Sequence, residues 1–296
     1  MMQEKYPLIS IVTPSYNQGS FLKATIESVL SQNYPNLEYI IIDGGSNDGS
    51  VDIIRQYEKH LYYWCSEKDG GQYYAINKGF SKSNGKIMGW INSDDMYLPW
   101  TFRTIASIMT ELPEVKWLTT LKLGIWDYDG FCLGFKEVEG YSLMAFLDSY
   151  NLPLNSNNCI QQESTFWQRE IWDQSGGYIN TELNLASDFE LWSRFYLHNE
   201  LYGTVSPLAG FRYQYNQKSQ NTEDYVKEAR PYLQSLQQSL NWKPSLFRIV
   251  SDFIRKYKFP KVSNLILSKW GYDAQRVVRS NFNHPSASWI IEKYKF

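Results

Sequence analysis

The feature that most constrains this chain is a regular alternation in its first third. Short apolar runs, each long enough for one buried strand, are separated by stretches with helical spacing. Leu8 to Thr13 is the first run, and Pro14 stops it. Ser20 is placed to cap a helix on which Leu22, Ile26, Val29 and Leu30 share a face, and Asn33-Tyr34-Pro35-Asn36 closes it before the run Tyr39 to Ile42. A second helix is expected after Gly49-Ser50, then a strand over Leu61 to Cys65, a helix over Tyr74 to Phe80 and a strand over Lys86 to Ile91. Parallel neighbours need a crossover long enough to hold a helix, so this order predicts a mainly parallel sheet flanked by helices. Such sheets bind ligands beyond the carboxyl ends of their strands.

The middle of the chain departs from strict alternation. A helix opened by Pro99 carries Ile105, Ile108 and Leu112 on one side, and a hairpin turn is expected at Asp129-Gly130, which makes the sheet mixed. Further helices are expected over Tyr141 to Asp148 and from Asp188 to His198. At 296 residues and 43% hydrophobic composition there is material for one large α/β domain with an appendage. The appendage differs in charge: from Lys243 to Phe296 there are eleven Lys/Arg against three Asp/Glu, a net +8, which leaves −10 for the rest of a chain totalling −2. Leu246, Val250, Phe253 and Tyr257 give it an apolar stripe beside Arg248, Arg255, Lys256 and Lys258. A basic, amphipathic helical extension over 243–296 is therefore expected, docked on the main domain or, as the alternative, lying on a membrane surface.

Charge and cysteine content exclude several classes. A pI near 6.0 with no basic stripe in the first two thirds argues against nucleic acid as a partner. The aromatic content of 17% suits sugar rings, but most aromatic side chains in any fold serve as core. Cys65, Cys132 and Cys159 are odd in number and widely spaced, so neither a disulfide framework nor a zinc site is expected, and they read as buried thiols in a reducing cytosol. No signal-peptide pattern or run of about 20 apolar residues is present, which makes a cytoplasmic location the expectation, with the inner face of the membrane as a peripheral alternative.

Polar clusters end three of the expected strands: Thr13-Pro14-Ser15-Tyr16-Asn17, Asp43-Gly44-Gly45-Ser46 and Asn92-Ser93-Asp94-Asp95. In a parallel sheet they meet at one edge. Acidic groups gathered there repel one another unless a cation is shared, and hard oxygen ligands select Mg²⁺ or Mn²⁺. The turn after the first strand lacks Gly-x-Gly-x-x-Gly and no Gly-Lys-Ser/Thr loop is present, which sets aside a dehydrogenase and an NTPase. A glycoside hydrolase also uses two carboxylates, but acids at strand ends suit a diphosphate better than acids flanking a glycosidic bond.

Five segments in order, Val12 to Asn17, Ile42 to Ser50, Ala75 to Gly79, Asn92 to Asp95 and Ala186 to Trp192, resemble the family 2 glycosyltransferases of GT-A fold, of the bacterial polysaccharide-assembly kind. The resemblance spans roughly residues 1–220 and implies a GT-A domain over 1–242, with a nucleotide-sugar half to about 120 and an acceptor half from about 121. It implies an inverting hexosyl transfer from a nucleotide-sugar donor, UDP-linked more readily than GDP- or dTDP-linked, to a saccharide or polyprenyl-linked acceptor. Thr13, Pro14, Ser15, Tyr16, Asp43, Asp69, Asn77, Asn92, Ser93 and Asp94 would bind the nucleotide sugar, and Asp94 with Asp95 the Mn²⁺ or Mg²⁺. Asp188 would be the general base, and Glu163 and Trp192 would face the acceptor.

Each assignment has a plainer counterpart. Asp43 suits a turn before Gly44-Gly45, Asn92 to Asp95 an Asx turn, and Asp188 a helix cap. Asn92 stands where the family has an acid, Tyr74 where it often has Asp, and Gln214 where many members have a His ligand. These departures keep a second class open, a nucleotide-sugar-binding protein without turnover.

Overall fold

Seven consecutive buried residues, Ile9–Ser15, form the first strand, β1, and its side chains divide between two cores because successive residues of a strand face opposite ways. Ile9 and Ile11 join one core and Val12 the other. The computed structural model describes residues 6–153, 159–215, 217–243 and 271–296. After β1 come α1 (Gly19–Leu30), β2 (Leu37–Asp43), α2 (Ser50–Tyr57), β3 (Tyr63–Ser66), α3 (Gln72–Phe80) and β4 (Ile87–Trp90). This is the alternation the sequence predicts. The cap of α1 differs: the helix starts before Ser20, and the Asp48 carboxylate accepts from Gly19 N at 2.8 Å in its place.

The second part runs through β5 (Met96–Tyr97), α4 (Thr101–Glu111), β6 (Trp117–Thr120), β7 (Lys122–Trp126), β8 (Cys132–Glu137), α5 (Leu143–Leu147) and β9 (Phe166–Gln168). It continues with α6 (Arg169–Gln174), α7 (Ser187–Phe195), β10 (Tyr202–Thr204), β11 (Ala209–Arg212), α8 (Thr222–Ser239), β12 (Asp273–Ser280) and β13 (Ser288–Lys295). Among the described residues the main sheet has nine strands in the order β13-β12-β10-β6-β9-β4-β1-β2-β3, and a smaller sheet has the order β5-β11-β7-β8. In the main sheet β9 runs antiparallel to β4 and β6, and β13 antiparallel to β12, while the remaining pairs are parallel. The expected mixed, mainly parallel sheet is thus the fold, and Asp129-Gly130 lies in the turn between β7 and β8.

Packing fixes the layers. A Cβ at Gly79 would lie 2.4 Å from Val12 Cγ1, so this glycine lets α3 settle directly on β1. Five buried tryptophans, Trp90, Trp117, Trp167, Trp172 and Trp192, sit in one core, which is where much of the aromatic content goes.

Two expectations need correction. Residues 271–296 are not helical: β12 and β13 form a hairpin that extends the main sheet through β10, with Val277 buried in one core and Ala274 in a smaller cluster. The apolar residues of β12, Ala274, Val277 and Val278, do not alternate, so pairing with β10 and β13, not a period legible in the sequence, sets this segment. The apolar stripe Leu246, Val250, Phe253 and Tyr257 lies outside the described residues. The cysteines are free, but Cys132 and Cys159 are exposed and Cys65 only half-buried, because a strand at the edge of the small sheet turns Cys132 outward. No helix among the described residues is long and apolar enough to cross a membrane.

Candidate active site

The register of the parallel strands brings their carboxyl ends level: Ser15 pairs with Asp43, and Asp43 with Ser66. A cleft of about 790 Å³ opens above them. Pro14, Ser15 and Tyr16 line it from β1, Asp69 from the loop after β3, and Asn92, Ser93 and Asp94 from the turn after β4. Gln214, Gln217 and Lys218, beyond β11, close the other side. Ser15 Oγ is buried and has no hydrogen-bond partner among the described residues, so the cleft holds an unused polar group at the end of β1. Asp69 accepts from Gly71 N at 2.8 Å, which holds the loop leading into α3.

Three residues expected to touch the nucleotide sugar lie elsewhere. Thr13 is fully buried and hydrogen-bonded to the Tyr39 hydroxyl at 3.1 Å. Asp43 is also fully buried, and its oxygens accept from Gly45 N at 3.1 Å, Ser46 N at 2.9 Å, Ser46 Oγ at 2.5 Å and Ser66 Oγ at 2.7 Å. Its carboxylate anchors the turn in which Gly45 takes a φ of +82°, so it shapes the wall of the cleft from beneath. Asn77 is taken up by Ile179: its Nδ2 donates to the carbonyl and its Oδ1 accepts from the amide, both at 2.7 Å. It ties α3 to the loop before α7.

The two acids after β4 divide in the same way. Asp94 faces the cleft, where its Oδ2 accepts from Gln214 Nε2 at 2.5 Å, and burial pushes its carboxyl up from the usual range. Asp95 is fully buried, with Oδ1 accepting from Arg212 N at 2.9 Å and Oδ2 from Asn92 Nδ2 at 3.3 Å. Burial, then the charges of Asp94 and Glu163, push its carboxyl well up. Asp95 therefore fastens β11 to the turn, and of the two acids expected to hold a cation Asp94 is the one that faces the cleft. Arg212 completes the clamp: its Nε donates to the Asp94 carbonyl at 2.6 Å and its Nη1 to the Tyr128 carbonyl at 2.9 Å. Among the described residues no three His, Cys, Asp or Glu side chains gather as a metal cage. The donors that do face the cleft, Asp94 and the Asn92 amide oxygen, are hard oxygens suited to Mg²⁺ or Mn²⁺, and both now accept from glutamines, Gln214 and Gln72.

Asp188 sits in the first turn of α7, whose N-cap is Ala186, so it is not the helix cap. Its Oδ1 accepts from Phe189 N at 2.8 Å and from the Tyr225 hydroxyl at 3.0 Å. Burial raises its pKa to about 6 against these hydrogen bonds. Glu163 is 3% exposed on the turn Gln162–Ser164, and burial followed by the charges of Asp94 and Asp188 pushes it up to about 8. Trp192, expected at the acceptor, is core: it stacks on Trp90 at 6.0 Å and on Trp117 at 5.5 Å. Gln72 and Tyr225 were not legible as site residues, although Asn221-Thr222-Glu223-Asp224 is a helix-start pattern that announces α8, the helix carrying Tyr225.

A mixed, mainly parallel sheet with a cleft at its strand ends, an acid after the fourth strand and a second acid on a later helix is a GT-A type of α/β domain. Residues 10–116 match the family described as Glycosyl transferase family 2. Over that stretch the chain is similar to the family 2 glycosyltransferases. It is similar to an uncharacterized glycosyltransferase of Rickettsia typhi, 26% identical over 90% of this chain and 86% of that protein. An uncharacterized glycosyltransferase of Mycobacterium tuberculosis is 38% identical over 31% of this chain and 35% of that one. Among solved structures, residues 1–349 of Staphylococcus aureus TarS in complex with UDP-GlcNAc superimpose with a TM-score of 0.61 at 15% identity, over 88% of this chain and 80% of that one. The chain spans 44% of the longer TarS chain.

Proposed function

We propose that this protein moves a sugar from a UDP-linked donor to a saccharide or lipid-linked saccharide acceptor by a single inverting displacement, with Asp188 as general base. The observation that carries the reading is Asp188 itself: a half-buried carboxyl raised to about 6 and held by Tyr225 in the first turn of α7. A base in that range is ionised near neutrality yet basic enough to take a proton from an attacking hydroxyl, a contribution of about 10²- to 10⁴-fold. The UDP-GlcNAc bound by the similar TarS supports a UDP-linked donor. The nucleotide and diphosphate would lie in the cleft between Ser15 and Asp94.

A divalent cation fits this site as a partner of the donor. Asp94 would hold Mg²⁺ or Mn²⁺ together with the diphosphate oxygens, and rotation of the Gln214 amide would turn its oxygen to the same place. Such a cation supplies charge stabilisation to the departing diphosphate. The test is Asp188→Asn. Transfer should fall by about 10²-fold or more, while UDP-sugar with Mn²⁺ still raises the melting temperature. Transfer at the wild-type rate would remove Asp188 from the mechanism.

The engagement of Asp94 by Gln214 favours one second reading, a nucleotide-sugar-binding protein without turnover. Hydrolysis of a UDP-sugar by the wild-type protein in Mn²⁺ would exclude it.

A further inference from the structure

In a single displacement the acceptor hydroxyl attacks the anomeric carbon opposite the departing diphosphate, so the sugar ring must lie between the diphosphate site and the base. Here that means between Asp94 and Asp188. Glu163 is the residue whose carboxyl is affected by both, since the charges of Asp94 and of Asp188 each act on it. It is 3% exposed, and its Oε1 has no hydrogen-bond partner among the described residues. A buried polar atom left unpaired destabilises the fold unless something arrives to pair it.

The main chain around Glu163 is fixed on both sides. Gln161 Nε2 donates to the Gly124 carbonyl at 3.2 Å and Gln162 Nε2 to the Trp90 carbonyl at 2.7 Å, while Ser164 Oγ donates to Gln161 Oε1 at 3.0 Å. Trp90 ends β4, the strand whose following turn carries Asn92 and Asp94. Glu163 therefore sits on a turn tied to the end of β4, the strand that leads to Asn92 and Asp94 at the cleft, with its unpaired Oε1 enclosed behind them. A carboxyl offers lone pairs when ionised and an O–H donor besides when protonated, so in either state it matches a sugar hydroxyl.

We propose that Glu163 pairs through Oε1 with a hydroxyl of the donor's sugar ring and so determines which sugar is transferred. The assignment rests on the donor-site reading above and moves Glu163 from the acceptor side, where the resemblance placed it, to the donor sugar. A site built to hydrogen-bond a substrate hydroxyl discriminates strongly against sugars that lack it or point it elsewhere.

The test compares wild type, Glu163→Gln, Glu163→Ala and Glu163→Asp as full chains, titrated in Mn²⁺ with UDP and with UDP-glucose, UDP-galactose and UDP-GlcNAc. UDP should bind all four proteins within about twofold, because Glu163 does not touch the nucleotide. The preferred UDP-sugar should bind Glu163→Ala about 10-fold more weakly or worse, and preference among the three sugars should collapse. Glu163→Gln, which keeps a donor and an acceptor at the same reach, should retain most of the preference. Glu163→Asp, one methylene shorter, should lose it, and it carries the test if the alanine variant does not fold. Unchanged sugar preference in Glu163→Ala and Glu163→Asp, with UDP bound normally, overturns the assignment alone. Equal weakening of UDP and UDP-sugars overturns it in favour of a structural role. A wild-type protein that binds neither UDP nor any of the sugars removes the donor-site reading, and this assignment with it.

Discussion

The Tyr225 hydroxyl, on α8, donates to Asp188 Oδ1 at 3.0 Å, so the group proposed as base is steadied by a helix that lies later in the chain. That hydrogen bond favours the ionised carboxylate and opposes burial, which holds the pKa at about 6. Tyr225→Phe removes it. Hydrogen bonds to charged groups are worth about 1.5–3 kcal/mol, part of which water or relaxation restores, so the acid limb of kcat/KM against pH should move upward by about one unit. Activity well above that limb should be close to wild type. A limb that stays in place in Tyr225→Phe would show that the tyrosine does not tune the base.

The same carboxyl makes a prediction about stability. The folded pKa of Asp188, about 6, lies above the usual aspartate value of 3.8, so the folded state holds its proton more tightly. Its contribution is fully present below about pH 4 and is lost as the pH rises through 6, where a half-buried charge must form. Asp188→Asn never forms that charge. At pH 7 it should be more stable to unfolding than wild type, by up to about 3 kcal/mol, and the difference should shrink as the pH is lowered toward 4. Denaturant titrations at several pH values read this directly. A constant difference across that range would mean that the asparagine acts through packing.

The strand ends were legible in the sequence because an apolar run followed by Pro, Gly or Asx has few alternatives. The direction of each side chain was not. Asp43 and Asp95 carry the right chemistry at the right ends, yet both are fully buried, because the backbone N–H groups of Gly45, Ser46 and Arg212 needed acceptors there. Periodicity places a residue on a strand but does not count the orphan donors around it. The tail misled for another reason: its charge suggested a surface helix, while residues 273–280 and 288–295 pair as a hairpin against β10 without a clean period of two to announce it. Trp192 shows the limit of motif reasoning, since the motif that positions Asp188 also supplies the core that supports it.

Asn77 separates a structural from a binding role. Both ends of its amide are satisfied by Ile179, at 2.7 Å each. Asn77→Ala leaves a partly buried amide and carbonyl to find other partners, at a cost of about 1–3 kcal/mol, and should lower the melting temperature with little change in the affinity for UDP. Asn77→Asp keeps the acceptor for Ile179 N but loses the donor, so an intermediate loss is expected. Weaker UDP binding at unchanged stability would return Asn77 to the donor site.

Asp94 and Asp95 are adjacent in sequence and opposite in task, which gives the sharpest separation of function from fold. Asp94 opens on the cleft, so Asp94→Ala should leave the ligand-free protein nearly as stable as wild type and abolish the extra stabilisation by UDP that Mn²⁺ provides. Asp95 is closed off, with Arg212 N and Asn92 Nδ2 on its carboxyl and Thr25 Oγ1 on its carbonyl at 2.8 Å. Asp95→Ala removes the acceptor for a buried backbone N–H and should destabilise the ligand-free protein by about 1–3 kcal/mol. Asp95→Asn keeps an acceptor oxygen and forms no charge, and burial already pushes the acid well up, so it should be much milder. Measured by thermal melts with and without UDP and Mn²⁺, the two positions should separate cleanly. An Asp95→Asn protein that is as stable as wild type but blind to Mn²⁺ would make Asp95 a metal ligand after all.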